Sequence, residues 1–406
     1  MIDRAPRIAY FPDSFHEVNG VAHTSRHFEA FARRRNLPFL CVRAALDGRG
    51  PVLQEEGNVW SLELPRGILS FALEKDLRFD PAFPRHIPMI GEVLDRFQPE
   101  LIHITGPSEV GMLGAGLAYH RDLPLAASWH TNVHEYLARR SDWLLKLLPE
   151  RHSVSTGKKI EDLTLAAAAR FYSIAKVLYA PNAGLCELLE GATGRVCRLM
   201  PRGVDAELFS PAKRRRAAGD DALVLGFVGR LSVEKNIAQL VAVHDELLAR
   251  GFESFRFLII GHGDEEAWLK ERMPRAEFAG VLRGEALAEA YAAMDLFVFP
   301  SHTDTFGNVV LEALASGVPA VVTPDGGPCS IVRDTRDTSA TGRIVPDEQF
   351  TDAIVGILND RERHRAMRIA ARTYALEQSW DAVFEGVYAG YEGILPTWHR
   401  LAAAGD

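Results

Sequence analysis

Short apolar runs alternate along this chain with longer segments whose apolar residues recur at helical spacing. Continuously apolar runs are typical of strands buried on both faces of a parallel sheet, and the segments between them suit helical crossovers. The predicted strands are residues 7–11, 39–43, 59–64, 101–105, 126–129 and 177–180 in the first half, and 224–228, 257–260, 277–279, 296–299 and 320–322 in the second. This pattern predicts an α/β protein with two doubly wound, Rossmann-like sheets.

Two domains are the simplest division of these strands, residues 1–200 and residues 201–379, followed by an aromatic-rich segment of helical period, residues 380–406. The segment from Lys213 to Asp221 is polar and has no apolar periodicity, and Pro201 and Pro211 precede it. We therefore expect the connection between the domains in this region.

The chain has 406 residues, of which 47% are apolar, and this composition is ample for two or three ordinary cores. The four cysteines form no Cys-x-x-Cys pair, so they indicate neither a zinc site nor a disulfide framework. No stretch reaches the roughly 18 uncharged apolar residues of a membrane span, and the N-terminus does not resemble a signal peptide. We expect a cytoplasmic protein.

The net charge of −8 argues against nucleic acid as the main partner. The charge is unevenly spread, because residues 1–200 carry 24 basic and 23 acidic side chains whereas the remainder carries 22 and 31. Either these charged side chains are simply solvated and the imbalance has no function, or the first half of the chain makes a peripheral contact with an anionic membrane. The second alternative would place the protein at the inner face of the membrane.

The most informative segment of the chain extends from Pro300 to Pro319 and reads PSHTDTFGNVVLEALASGVP. Predicted strands lie on both sides of it, so a helix must begin inside it. Residues 303–305 offer capping side chains, Gly307 allows a close approach of the backbone to a ligand, and Asn308 and Glu312 share one helical face. Carboxylates and helix N-terminal N–H groups would therefore meet at the carboxyl end of a strand, a combination that suits a ligand with both sugar hydroxyls and phosphate.

A second motif follows the predicted strand 224–228, where Gly229 and Arg230 begin a turn that also contains Lys235. Arginine and lysine side chains are cationic at neutral pH, so this pair can neutralise a diphosphate without a metal ion.

Together these motifs resemble those of the retaining glycosyltransferases of family 4, in particular its lipid-directed α-mannosyltransferases. The matching positions are Gly229 and Arg230 with Lys235, Gly261 and Gly263, and Asp304 with Phe306, Gly307 and Glu312. The family usually has glutamate where this chain has Asp304, so the contact with the sugar at that position differs in reach.

The resemblance implies the GT-B fold, in which two Rossmann-like domains face each other across a cleft. Residues 1–200 would form the acceptor domain and residues 201–379 the nucleotide-sugar domain, and the helix in residues 380–406 would cross back to the first domain. The leaving phosphate would take the proton of the acceptor hydroxyl, and no metal or cofactor is expected.

The resemblance also assigns roles to individual residues. The catalytic residues would be Arg230, Lys235, His130 and Asp304, of which the first two stabilise the departing diphosphate and the last two contact the sugar. The donor would also be bound by Asn19, Gly20, Arg202, Gly229, Gly263, Arg283, Phe306, Gly307, Asn308 and Glu312. For Arg202, a salt-bridged structural residue is the alternative.

Two predictions in the first domain have structural alternatives. Asn19 and Gly20 follow the first strand and could present N–H groups to a phosphate, although most Asn-Gly pairs are simple turns. His130 follows strand 126–129, and a hydrogen-bonded structural histidine is its alternative. A zinc site with His134 and Glu135 is not expected, because no third ligand is apparent.

The sequence thus favours a retaining glycosyltransferase that moves a hexose from a nucleotide-diphosphate sugar, with GDP-mannose favoured, to an acceptor hydroxyl. The alternatives are a UDP-sugar-dependent transferase with a soluble acceptor, a nucleotide-sugar epimerase or phosphorylase of the same fold, and a non-enzymatic sugar-binding protein. A lipid-linked acceptor is suggested by the segment Ser141–Leu148, in which Trp143 and Leu147 share a helical face flanked by basic residues. Burial of this face against the first domain is the alternative.

Overall fold

The computed structural model describes residues 5–17, 20–45, 50–68, 70–74, 77–130, 165–216 and 219–395. The chain forms two compact units, Met1–Pro201 with Val383–Asp406, and Arg202–Ala382. Asn19, His134, Glu135 and the segment Ser141–Leu148 lie outside the described residues, so the predictions made for them stay predictions.

The first unit contains a sheet of eight strands in the order β10-β9-β8-β7-β1-β2-β4-β3, in which only β3 is antiparallel to its neighbour. Apolar side chains buried on both faces explain why the central strands were recognisable in the sequence. The strands of the sheet are β1 (Ile8–Phe11), β2 (Phe39–Ala44), β3 (Val52–Glu56), β4 (Val59–Leu64), β7 (Leu101–Ile104), β8 (Leu125–Ser128), β9 (Val177–Ala180) and β10 (Cys197–Leu199). A separate antiparallel ribbon is formed by β5 (Phe71–Glu74) and β6 (Leu77–Phe79).

Within the described residues of the first unit, four complete helices connect these strands, and residues 165–172 are also helical. They are α1 (Gly20–Arg34), α2 (Ile87–Phe97), α3 (Glu109–His120) and α4 (Ala183–Thr193). Ser108 caps α3 by accepting a hydrogen bond from the Gly111 N–H, and Asn182 caps α4 in the same way through the Leu185 N–H.

The second unit contains a sheet of six parallel strands in the order β13-β12-β11-β14-β15-β16. The strands are β11 (Leu223–Val228), β12 (Phe255–Ile260), β13 (Glu277–Gly280), β14 (Leu296–Phe299), β15 (Ala320–Val322) and β16 (Gly342–Ile344). The helices are α5 (Ala238–Ala249), α6 (Glu266–Arg272), α7 (Gly284–Ala293), α8 (Asn308–Ala315), α9 (Phe350–Asn359) and α10 (Arg361–Glu377). This is the strand order of dinucleotide-binding folds, and it reverses between β11 and β14, where such sheets bind ligands. The first sheet reverses in the same way between β1 and β7.

The polar segment from Lys213 to Asp221, predicted to connect the domains, belongs to the second unit. Its basic side chains are used within that unit: Arg214 lies 2.7 Å and Arg216 3.0 Å from the carboxylate of Asp295, which precedes β14. In the sequence, the boundary between the two units lies instead between Pro201 and Arg202. Polarity alone suggested a linker, but Arg214 and Arg216 pair with a carboxylate of the second unit.

The last complete helix, α11 (Trp380–Glu392), begins at the end of the second unit and continues into the first. In the first unit the Phe384 ring stacks on that of Phe28 at 4.5 Å between centroids, and Tyr388 and Tyr391 are buried. Aromatic residues of α11 therefore complete the core on one face of the first sheet.

Candidate functional site

The loops that follow β11 and β14 contain most of the residues predicted to bind a donor. Lys235 ends the first loop and Asp304 lies in the second, and the distance between Lys235 Nζ and Asp304 Oδ2 is 2.6 Å. The two side chains are 19% and 23% exposed, so their ion pair is better shielded from solvent than a surface pair. Two of the four residues predicted to be catalytic are thus in direct contact at the switch point of the sheet.

The loop that carries Arg230 is held by backbone hydrogen bonds to the end of β12 and to the residues that follow it. The Gly229 N–H donates to Ile260, and the Leu231 N–H donates to the carbonyl of His262. A Cβ atom on Gly261 would lie 1.9 Å from the Gly229 carbonyl oxygen, so a side chain at that position would displace the loop.

Gly263, predicted to bind the donor, also packs against this loop. A Cβ atom added at Gly263 would lie 2.1 Å from the Leu231 carbonyl oxygen, so a side chain there would displace the loop as well. The Arg230 side chain is exposed, and it forms no ion pair or hydrogen bond with the part of the chain that the structure describes. The loop therefore presents its guanidinium group to solvent.

The loop that carries Asp304 rests on a second glycine turn, after β15. A Cβ atom on Gly327 would lie 2.2 Å from the Thr305 carbonyl oxygen, and the Gly327 N–H donates to the Asp304 carbonyl at 2.6 Å. Gly326 has a φ of 74°, in the left-handed region that favours glycine. Two backbones can pack this closely only because side chains are absent from the turn.

The helix predicted to begin in this segment is α8, and it starts at Asn308. The N-cap is Gly307, with a φ of 89°, and a glycine has no side chain that could bond to the N-terminal amides. Phe306 is buried, and Asn308 Oδ1 is a buried oxygen that has no hydrogen-bond partner among the described residues. A helix N-terminus with glycine at the N-cap and a buried, unsatisfied amide oxygen suit a ligand.

Glu312 lies one turn further along α8, on the same face as Asn308. Its Oε2 accepts a hydrogen bond of 2.9 Å from the hydroxyl of Tyr291, a buried residue of α7. Burial raises the pKa of Glu312 to about 7, and the hydrogen bond from Tyr291 opposes this shift. Nothing in the sequence signals Tyr291, because it meets Glu312 only through the packing of two helices.

A polar cluster beside Lys235 was also missed by the sequence analysis. His302 lies between two carboxylates, with Nδ1 2.9 Å from Asp325 and Nε2 3.3 Å from Asp347. The side-chain amide of Asn236 donates to Asp347 at 2.9 Å. Since Asn236 follows Lys235 and His302 precedes Asp304 by two residues, the cluster fixes both loops of the ion pair. The only sequence signal was the position of His302 inside the motif.

In the first unit, His130 follows β8 and is 7% exposed. Its Nε2 atom is 2.6 Å from the hydroxyl oxygen of Ser128, the last residue of β8. The structure thus shows the hydrogen-bonded arrangement of the structural alternative, and the contact with a sugar stays a prediction.

Another candidate in the first unit is Asp13, which follows β1 at the switch point. Its N–H donates to Thr105 at 2.7 Å, and the Ser108 hydroxyl donates to its carboxylate at 2.6 Å. Burial raises the pKa of Asp13 to about 6. The sequence analysis did not select this residue, although an aspartate directly after the first strand was a usable signal.

The remaining predicted residues lie on separate elements. Gly20 is exposed as the first residue of α1, Arg202 is buried in the second unit, and Arg283 is exposed at the N-cap of α7. Among the residues that the structure describes, no three His, Cys, Asp or Glu side chains are grouped so that they could hold a metal ion. None of the described helices is both long enough and apolar enough to cross a bilayer.

Comparison with known proteins decides the family. The family model described as "Glycosyl transferases group 1" matches residues 222–360. A GDP-mannose-dependent alpha-mannosyltransferase of Mycobacterium tuberculosis is 32% identical over 314 residues, which are 73% of this chain and 74% of the relative. The chain belongs to the family 4 glycosyltransferases. A D-inositol 3-phosphate glycosyltransferase of Nocardia farcinica is 32% identical over 53% of this chain and 51% of its own length.

This family 4 enzyme also has structural relatives. Sucrose-phosphate synthase from Thermosynechococcus elongatus matches with a TM-score of 0.69 and 19% identity, over 98% of this chain and 100% of the other. The predicted GT-B fold, α/β with two doubly wound sheets, is thereby confirmed. The protein is a retaining hexosyltransferase that uses a nucleotide sugar, as predicted.

Proposed function

We propose that this family 4 enzyme is a retaining α-mannosyltransferase with GDP-mannose as its donor. The observation that carries the proposal is the grouping of the Lys235–Asp304 ion pair with the N-terminus of α8, where glycine is the N-cap, and with Glu312 on that helix. Relatives named as GDP-mannose-dependent mannosyltransferases support the choice of base and sugar.

Each group has a role that follows from its chemistry. Glu312 accepts hydrogen bonds from the ribose hydroxyls, and Asp304 orients the sugar. Arg230 and Lys235 stabilise the charge that develops on the departing diphosphate. Because an ammonium group has three donors, Lys235 can hold Asp304 and still donate to a phosphate oxygen. The acceptor attacks from the face that the diphosphate leaves, and the leaving phosphate takes its proton.

We expect chelation by EDTA to leave turnover unchanged, because Arg230 and Lys235 supply the positive charge that a divalent ion supplies in other transferases. Turnover is measured before and after chelation. Complete loss that magnesium or manganese restores would contradict this assignment.

For the acceptor we propose a lipid-linked hydroxyl. The amphipathic segment Ser141–Leu148, which has arginines on both sides of it, supports this proposal from the sequence. A soluble phosphorylated acceptor is the second candidate, favoured by the relative named D-inositol 3-phosphate glycosyltransferase. Radiolabelled transfer from GDP-mannose to membrane lipid extract, compared with transfer to a panel of soluble polyols and their phosphates, separates the two.

A donor panel tests the central proposal. GDP-mannose should raise the unfolding temperature more than GDP-glucose, UDP-glucose or UDP-galactose, because a ligand at 100 times its Kd adds about 2.7 kcal/mol of stability. Slow hydrolysis of the same donor without acceptor would distinguish a transferase from a sugar-binding protein. Stronger stabilisation and hydrolysis with a UDP-sugar would overturn the choice of GDP-mannose and leave the glycosyltransferase activity intact.

A further inference from the structure

A chain of buried hydrogen bonds connects His130 with the C-terminal helix inside the first unit. His130 Nε2 is 2.6 Å from Ser128 Oγ, and Ser128 Oγ is 3.1 Å from His103 Nε2. The other nitrogen of His103, Nδ1, is hydrogen-bonded to the hydroxyl of Tyr391 in α11. The chain thus extends from a predicted sugar contact at the end of β8, through β7, to a residue 288 positions away from His103 in sequence.

The middle of this chain is enclosed by aromatic rings. The His103 ring stacks on Tyr179 at 5.6 Å between centroids, and Tyr10 and Tyr391 contact it edge to face at 5.4 and 5.7 Å. His103 is fully buried. Burial lowers the pKa of His103 to about 3, so the ring is neutral near pH 7 and has one N–H donor and one acceptor nitrogen.

The direction of the hydrogen bonds is set at the Tyr391 end. His103 is the only partner of the Tyr391 hydroxyl within the described part of the chain, and this hydroxyl is buried. A buried hydroxyl that only accepted would leave its own proton unsatisfied, so Tyr391 donates to His103 Nδ1. His103 then carries its proton on Nε2 and donates to Ser128, and Ser128 donates to His130 Nε2.

We propose that Tyr391, His103 and Ser128 are positioning residues that hold His130 in the tautomer with its proton on Nδ1. In this tautomer Nδ1–H is the hydrogen-bond donor of the ring, which suits contact with an oxygen of a sugar hydroxyl. The catalytic meaning of this inference rests on the proposed sugar contact of His130. The tautomer itself does not depend on the reaction.

The test is nuclear magnetic resonance of the full chain with ¹⁵N-labelled histidine. The signals of His130 are assigned by their disappearance in His130→Gln. In the wild type we expect a pyridine-like ¹⁵N shift at Nε2 and a pyrrole-like shift at Nδ1. A wild-type spectrum with the proton on Nε2 overturns the proposal, whether or not the protein transfers mannose.

Two variants test whether the hydrogen bonds from Tyr391 to His130 set the tautomer of His130 or only stabilise the fold. Tyr391→Phe removes only the hydroxyl that fixes the direction, so both ¹⁵N shifts of His130 should move toward intermediate, tautomer-averaged values. Tyr388→Phe is the matched control on the same helix, because the Tyr388 hydroxyl is buried without a partner among the described residues, and the His130 shifts should not change. Equal spectra for the two variants would overturn the proposal.

Kinetics provide a separate readout. Ser128→Ala should lower kcat about fivefold with little change in the KM for the donor, because one neutral hydrogen bond to His130 is lost. If the ¹⁵N shifts confirm the tautomer and kcat is unchanged, the proposed role of His130 in transfer is wrong and the hydrogen-bond chain stands. If the protein has no transferase activity with any donor, the spectra alone decide the inference.

Discussion

Because Lys235 and Asp304 form an ion pair, substitution of either residue leaves the other charge without its partner. Lys235→Ala removes a contact to the diphosphate and also leaves a partly buried carboxylate without its cation. We expect kcat/KM for the donor to fall about tenfold to a hundredfold, since hydrogen bonds to charged groups contribute about 1.5 to 3 kcal/mol. Steady-state kinetics measure this loss.

The matched control for this prediction is Lys270→Ala, which removes an exposed lysine from a surface pair with Glu266. Its activity should equal that of the wild type. Wild-type kinetics in Lys235→Ala as well would show that the ion pair lies outside the donor site.

Glu312 links function to stability. Its pKa is about 7 in the folded protein against 4.5 for an ordinary glutamate, so the folded state keeps the proton to higher pH than the unfolded state does. The wild type therefore loses stability as pH rises from about 4.5 to 7, and this loss persists above pH 7. Glu312→Gln, which stays neutral, should gain more in Tm over the wild type at pH 8 than at pH 5, while it binds GDP more weakly.

Thermal unfolding of both proteins across this pH range tests the prediction. Glu266→Gln is the comparison with the opposite sign, because Lys270 and His262 lower the pKa of Glu266 and its ionised form is the favoured one. A Tm difference between Glu312→Gln and the wild type that is independent of pH would show that the carboxylate is not desolvated.

At the scale of elements, the turn after β15 packs against the loop that carries Asp304 and supports it. Gly327→Ala tests steric contact alone, because its φ of −72° suits any residue while its Cβ would lie 2.2 Å from the Thr305 carbonyl oxygen. We expect a loss of about 1–3 kcal/mol in the free energy of unfolding and roughly a tenfold loss of kcat/KM. Chemical denaturation and kinetics measure the two effects.

Gly356→Ala provides the control on helix α9, where an added Cβ meets nothing within 4 Å. It should stabilise the protein by about 0.5–1 kcal/mol and leave kcat/KM unchanged, because alanine is a better helix former. Equal stability and activity in both variants would mean that the loop that carries Asp304 shifts to accommodate the added methyl group without cost.

The strands of the two sheets show what the sequence could predict. β11, β12 and β14 are apolar runs that could be recognised directly, whereas β16, three residues long, and the exposed edge strand β3 have no comparable pattern. Asp304, Glu312 and Lys235 followed from local motifs. Tyr291 and the cluster around His302 could not, since their partners come from other elements and meet them only in the folded chain.

For the whole molecule, the division of the chain into two units predicts where a nucleotide acts. Lys235, Asp304 and Glu312 all belong to the unit Arg202–Ala382. GDP alone should therefore slow hydrogen exchange in peptides that cover residues 229–236 and 303–312, and leave peptides that cover β1 and β7 unchanged. Mass spectrometry with and without GDP measures this pattern, and protection confined to the first unit would contradict the assigned donor unit.

The aromatic rings around His103 limit proton transfer from the interior to His130. Stepwise transfer would need a charged imidazolium in a place where burial lowers the pKa of His103 to about 3. Concerted transfer would leave a tyrosinate, and burial raises the pKa of Tyr391 well above its ordinary value. The hydrogen bonds from Tyr391 through His103 and Ser128 can therefore align the His130 ring, but they cannot supply it with protons from the interior.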